Sequence, residues 1–204
     1  MAIKQNDKNE ESELVHRIIC GQETACRELM YRYGQRVMSL VIRMVSEPED
    51  AEELVQDTFI KAFGHIDTFD ANKASLSTWL LQIAYNETIN HLRRQKHRTV
   101  SLDTWMKIAH KNERENLFLY DESGKNGADG PHGSDKEERI SRLEDAINRL
   151  SVEERTLLML YYYDNLSMQE ISHILNQKAS TLSLRLFRIR RKLQNMIEKR
   201  IDET

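Results

Sequence analysis

Apolar residues along this chain recur at intervals of three and four, and nowhere do they alternate with polar ones over the length of a strand. That spacing gathers them on one face of a helix, so the pattern predicts an all-helical protein. One stripe is Ala51, Leu54, Val55, Thr58 and Ala62, and a second is Leu76, Leu80, Ile83 and Ala84. Ile171, Ile174 and Leu175 make a short third; Leu182, Leu186, Ile189, Leu193 and Ile197 make a long fourth. Serine stands three residues ahead of glutamate at Ser46/Glu49, Ser151/Glu154 and Ser167/Glu170, a spacing that predicts reciprocal helix caps. Gly64, Asn165 and Asn176 stand where stripes end, and glycine and asparagine best tolerate the left-handed dihedrals that stop a helix.

The helical pattern lapses in SGKNGADGPHGSD, residues 123–135, which holds four of the seven glycines and one of the two prolines. Such a segment buries no face, so residues 99–135 are expected to form a flexible linker. The fold class that follows is two small helical domains joined by that linker, over residues 12–98 and 136–204. No apolar run approaches membrane-spanning length and the first residues carry no apolar signal core, so a cytoplasmic protein without membrane insertion is expected. Cys20 and Cys26 are too few for a disulfide scaffold and wrongly spaced for zinc, which predicts buried free thiols. His91 and His97, six residues apart, suit no shared helical metal site. A glycine-rich phosphate loop, H-E-x-x-H and a serine elbow are all missing, so neither an enzyme nor a metal or cofactor is expected.

Net charge is −3, but it is unevenly spread. Residues 46–57 hold six acids and no base, whereas residues 178–200 hold eight bases and one acid. In the basic helix Thr181, Arg185, Arg188, Lys192 and Lys199 lie about a quarter-turn from the apolar stripe. Upstream come a short capped helix and the four-residue link QKAS, which is helix-turn-helix order, with the second helix suited to the major groove. Leu184 and Phe187 project away from the stripe, where thymine methyl groups, a protein partner or a preceding helix are each candidates to meet them. In residues 77–98, Trp79, Asn86, Asn90 and Arg93 share one side that runs into RRQKHR. Amide and cationic groups so aligned suit a nucleic-acid strand, with Arg93, Arg94, Lys96 and Arg98 on phosphates and Trp79 in the core.

The segment RLSVEERTLLMLYYYDNLSMQEISHILNQKASTLSLRLFRIRRKL, residues 149–193, resembles region 4 of a bacterial RNA polymerase sigma factor. DAEELVQDTFIKAF (50–63) resembles region 2.2, and STWLLQIAYNETINHLRRQKHR (77–98) resembles regions 2.3 to 2.4. The chain is therefore similar to an extracytoplasmic-function sigma factor, the minimal two-domain type. That resemblance implies core polymerase as partner, through the clamp of its largest subunit and the flap of the second largest. Asp50, Glu53, Gln56, Asp57 and Ile60 would meet the clamp. It implies −10 contacts from Asn86, Asn90, Arg93, Arg94, Lys96 and Arg98, with a base flipped from the non-template strand held near the loop at residues 64–76. It implies −35 contacts from Lys178, Ser180, Thr181, Ser183, Arg185, Arg188, Arg191 and Lys192. Further partners it admits are an anti-sigma factor and an auxiliary DNA-targeting protein. Asn176 and Gln177 depart from the family's glycine and apolar residue in the turn, and Asn90 replaces a frequent aspartate. The rival reading is a helix-turn-helix regulator that binds an operator without recruiting polymerase.

Overall fold

A computed structural model of the protein describes residues 2–94 and 142–199, with side chains over 8–94 and 142–197. The linker expected at 99–135 and the contacts expected of Lys96 and Arg98 lie outside the described residues. Every regular element described is helical, as the three-and-four spacing requires. The helices are α1 (Ala2–Ile19), α2 (Glu23–Ile42), α3 (Pro48–Gly64), α4 (Leu76–Arg94), α5 (142–148), α6 (Val152–Tyr162), α7 (Met168–Leu175) and α8 (Ala179–Lys199), with a 3-10 turn at Ile66–Thr68. They fall into two compact units, one of α1 to α4 with α7 and the other of α5, α6 and α8.

In the first unit α2, α3 and α4 pack on one another and α1 lies along α2. The stripe on α3 is buried at Ala51, Leu54, Thr58 and Ala62, but Phe59 joins it and Val55 is only half-buried. On α4, Leu76, Leu80 and Ala84 are buried together with Leu81, Tyr85 and Ile89, while Ile83 sits at the margin. The core faces are broader than one stripe because each helix packs against more than one neighbour: α3 on α2 and α4, and α4 on α2, α3 and α7. Helix α1 begins ten residues ahead of the expected body. Its Glu11 accepts the Tyr33 hydroxyl at 3.3 Å and, through the other oxygen, the Leu76 amide at 3.1 Å. Burial, followed by the adjacent Glu11 charge, pushes the Tyr33 phenol up to about 12.

The starts and stops of the helices separate expectation from outcome. Ser151 and Glu154 form the full reciprocal cap of α6. Ser46 does not cap α3, which starts one residue later than that pairing needs, with Glu47 in the cap position and Pro48 at the first turn. Proline is favoured there because its fixed φ suits the helix and its missing N–H would find no helical partner. Asn165 (φ 49°) and Asn176 (φ 50°) do adopt the left-handed conformation. Gly64 instead ends α3 within the helix, and the left-handed glycine is Gly21, φ 77°, between α1 and α2.

In the second unit Leu157, Leu158 and Leu160 of α6 and Leu182, Leu186, Ile189 and Leu193 of α8 are buried. Each such leucine contributes about 1.5–3 kcal/mol relative to exposure. The thiols depart from expectation. Cys20 is exposed at the end of α1, with its sulfur 3.7 Å from His16 Nε2, and Cys26 is half-buried.

Candidate functional site

Three surfaces carry the residues singled out by charge and spacing. The first is the outward face of α3. Glu53, Gln56 and Asp57 are exposed there, and Ile60 among them is 68% exposed, a large apolar side chain standing in an acidic field. The same acids favour the helix through its N-terminal dipole, so part of their clustering is local stabilisation. Asp50 differs from the others. It is half-buried and its Oδ2 lies 3.4 Å from His91 Nε2 of α4, so it turns towards the neighbouring helix as well as outward. Lys61, one turn beyond Asp57, bonds Glu87 of α4 at 2.5 Å and gives the same two helices a second polar link.

The second surface is the open side of α4. Asn86, Asn90, Arg93 and Arg94 are exposed in a row along it. Ser75 caps this helix by accepting the Thr78 amide at 3.2 Å, and Glu11 takes the Leu76 amide beside it, so the start of α4 is held from two directions. Trp79 is half-buried rather than core, its ring edge-on to Phe69 at 5.8 Å between centroids. Trp79, Ile83, Asn86, His65 and Thr68 line a depression of about 230 Å³ between α4 and the turn after α3. The loop ahead of α4 is held by its own polar groups. Asp70 accepts the Asn72 amide at 2.9 Å, which together with Lys73 holds its carboxyl below the usual range.

The third surface is α8, which a tight turn precedes in the chain. The turn closes through Ser172, whose hydroxyl donates to the Gln177 carbonyl at 2.6 Å while the Gln177 amide donates to the Ser172 carbonyl at 3.1 Å. Asn176, left-handed at φ 50°, ends α7 there. On α8, Ser180, Thr181, Ser183, Arg188 and Arg191 are exposed, as is Lys178 just before it, and Arg185 is half-buried. Lys192 is turned inward. Its ammonium donates to Glu154 Oε2 at 2.8 Å, and the same oxygen accepts the Ser151 amide at 3.0 Å. Burial raises the Glu154 carboxyl, but bonds from Lys192 and the Ser151 amide, with the Lys192 and Arg185 charges, outweigh it and leave the group below its ordinary value. Arg190 stacks over Tyr162 and Tyr161, at 5.2 and 5.7 Å from the ring centroids. Both contacts tie α8 to α6.

Sequence reasoning missed Glu11, the Lys61–Glu87 pair and the Arg190–tyrosine stack, since each joins residues too far apart for any helical spacing to reveal. Among the described residues no cluster of His, Cys, Asp or Glu suits a metal ion, and no helix is long and apolar enough to cross a membrane.

Residues 29–98 match the family model of Sigma-70 region 2, and residues 140–193 match that of Sigma-70 region 4. The ECF RNA polymerase sigma factor SigW of Bacillus subtilis is 30% identical over 177 residues, 87% of this chain and 91% of SigW. The ECF RNA polymerase sigma-E factor of Haemophilus influenzae is 31% identical over 91% of this chain and 94% of its own. The sigma-E factor of Escherichia coli is 33% identical over 91% and 93%. Two solved structures share the fold. CnrH in complex with the cytosolic domain of CnrY has a TM-score of 0.59 at 17% identity, over 93% of this chain and 97% of CnrH. The sigma factor RpoE of Bartonella quintana, solved with the anti-sigma factor NepR, has a TM-score of 0.54 at 21% identity, over 84% and 96%.

Proposed function

We propose, from the premise that this chain belongs to the ECF RNA polymerase sigma factors, a division of labour among the helices just described. As a sigma factor the protein serves transcription initiation with RNA polymerase on promoter DNA, a non-catalytic role that also assigns it to the cytoplasm. The acidic face of α3, through Asp50, Glu53, Gln56, Asp57 and Ile60, takes the clamp of the largest polymerase subunit. The exposed row on α4, Asn86, Asn90, Arg93 and Arg94, follows a melted −10 strand, and Lys96 and Arg98 continue that row in the sequence. A base flipped from that strand loses its stacking at a cost of a few kcal/mol, and the depression beside Trp79 and Asn86 supports an offsetting pocket. The second body, 136–204, contributes −35 contacts from α8 and an attachment to the flap of the second-largest subunit. The linker at 99–135 spans the interval. RpoE of Bartonella quintana binds an anti-sigma factor, which makes that class a candidate partner here as well.

One observation carries the polymerase half of this reading: Ile60 is 68% exposed one turn beyond Asp57, where the acidic face of α3 ends. A large exposed apolar residue beside a charged face is poor solvent-facing surface and good interface. Asp57→Lys should abolish co-purification with core polymerase and run-off transcription while leaving the helical circular-dichroism signal intact. Undiminished association of the Asp57→Lys protein removes α3 from the interface.

A further inference from the structure

The side of α8 farthest from its core is apolar at its centre. Leu182, Leu186, Ile189 and Leu193 are buried, and about half a turn round the helix stand Ser180, Leu184, Phe187 and Arg191. Leu184 is 58% exposed and Phe187 61% exposed. They are the sixth and ninth residues of the helix, within the half that a helix-turn-helix presents to base edges. Beside them on α8 lie the exposed cations Arg188 and Arg191. Lys192 and Arg190 are engaged with Glu154 and the tyrosine rings, which turns those charges towards α6 and leaves the outward face with an apolar centre and a cationic rim.

The major groove has the complementary layout. Its walls are phosphates and its floor is base edges, on which the C5-methyl of thymine is the apolar group. The geometry points to Leu184 and Phe187 as specificity-determining residues that read thymine methyl groups in the upstream promoter element, while Arg188 and Arg191 hold the flanking phosphates. Three residues of helix rise about 4.5 Å and one base step about 3.4 Å, so the two side chains meet thymines on the same or neighbouring base pairs. This rests on α8 entering promoter DNA as proposed above, and adds to it what that helix prefers to find there.

The test uses the full chain assembled with core polymerase and promoter duplexes randomised across the upstream element, with a fixed −10 region. The expected outcome is enrichment of thymine at one base pair or at neighbouring ones. Replacing those thymines with uracil deletes only the methyl group and should weaken binding about fourfold per methyl. The Leu184→Ala, Phe187→Ala double variant should bind the thymine and uracil duplexes alike, and both side chains are exposed, so the variant keeps its core. Upstream selection without thymine, equal binding of the two duplexes by the unaltered chain, or thymine discrimination surviving in the variant would each overturn the inference. If the variant still discriminates but has lost affinity for core polymerase, the apolar pair is a protein contact instead. A chain that never assembles with core polymerase brings down the sigma reading and this inference together; assembly with methyl-indifferent binding brings down the inference alone.

Discussion

The cap of α6 and the inward turn of Lys192 meet at a single atom, Glu154 Oε2, which accepts the Ser151 amide at 3.0 Å and the Lys192 ammonium at 2.8 Å. Ser151→Ala removes the other half of the cap, the hydroxyl that accepts the Glu154 amide at 3.2 Å, and should cost about 1 kcal/mol. The ion pair is partly open to water, with side-chain exposures of 40% and 25%, so Lys192→Met should cost about 0.2–1 kcal/mol. Glu154→Ala loses a cap bond and the ion pair at once, and should cost about 1.5–2 kcal/mol. Native-state hydrogen exchange of the α6 amides reads these values directly, since about 1.4 kcal/mol corresponds to tenfold faster exchange through local opening. Acid adds a sign. The Glu154 carboxyl sits below its ordinary value when folded, so its charge stabilises fully above the ordinary glutamate range and stops doing so as pH falls through the lowered value. Glu154→Gln keeps the cap acceptor, so the gap between it and the parent chain should be open at neutral pH and close on acidification. A gap that widens in acid, or a Lys192→Met cost equal to that of Glu154→Ala, refutes the shared-oxygen account.

Arg188→Ala should reduce the slope of log binding constant against log salt by about 0.9, one phosphate's share, measured by titrating promoter binding of the assembled polymerase with salt. Leu182→Ala, at a fully buried site, should destabilise by about 2–5 kcal/mol in denaturant unfolding, whereas Leu184→Ala two residues on should change stability by less than about 0.5 kcal/mol. Tyr33 should be protonated until pH approaches about 12, and its neutral form stabilises the fold below the ordinary value of 10.0, an advantage lost as pH rises towards 12. Glu11→Ala should bring that titration only part of the way down, because burial is the larger cause, as followed by tyrosinate absorbance. Asn176→Gly should be close to neutral, while Asn176→Val at φ 50° should cost about 1–2 kcal/mol, again by unfolding.

Periodicity carried the fold because each stripe is a local property. Leu182, Leu186, Ile189 and Leu193 are buried as their spacing requires, and so are Ile171, Ile174 and Leu175. Local chemistry was also enough for the Ser151 cap and the two asparagine stops. It misjudged Ser46, where Pro48 sets the first turn, and Trp79, which is half-buried with its ring edge-on to Phe69. At the candidate surfaces, spacing and charge named the residues but not how each is engaged. Lys192 and Arg188 look alike in sequence, and only the position of Glu154 across the unit turns one inward while the other stays exposed. Likewise nothing in the string of letters joins Asp50 to His91.

Glu11 reaches across 65 positions of sequence to hold the first amide of α4. The amino-terminal helix, polar along most of its length, thereby acts as a strut for the helix whose open side is assigned to the melted strand. An affinity tag that frays α1, or a trimmed start intended only to improve expression, would loosen that strut without touching any DNA-facing residue. Weak opening of promoters by such a preparation would then report a slackened scaffold rather than a poor factor.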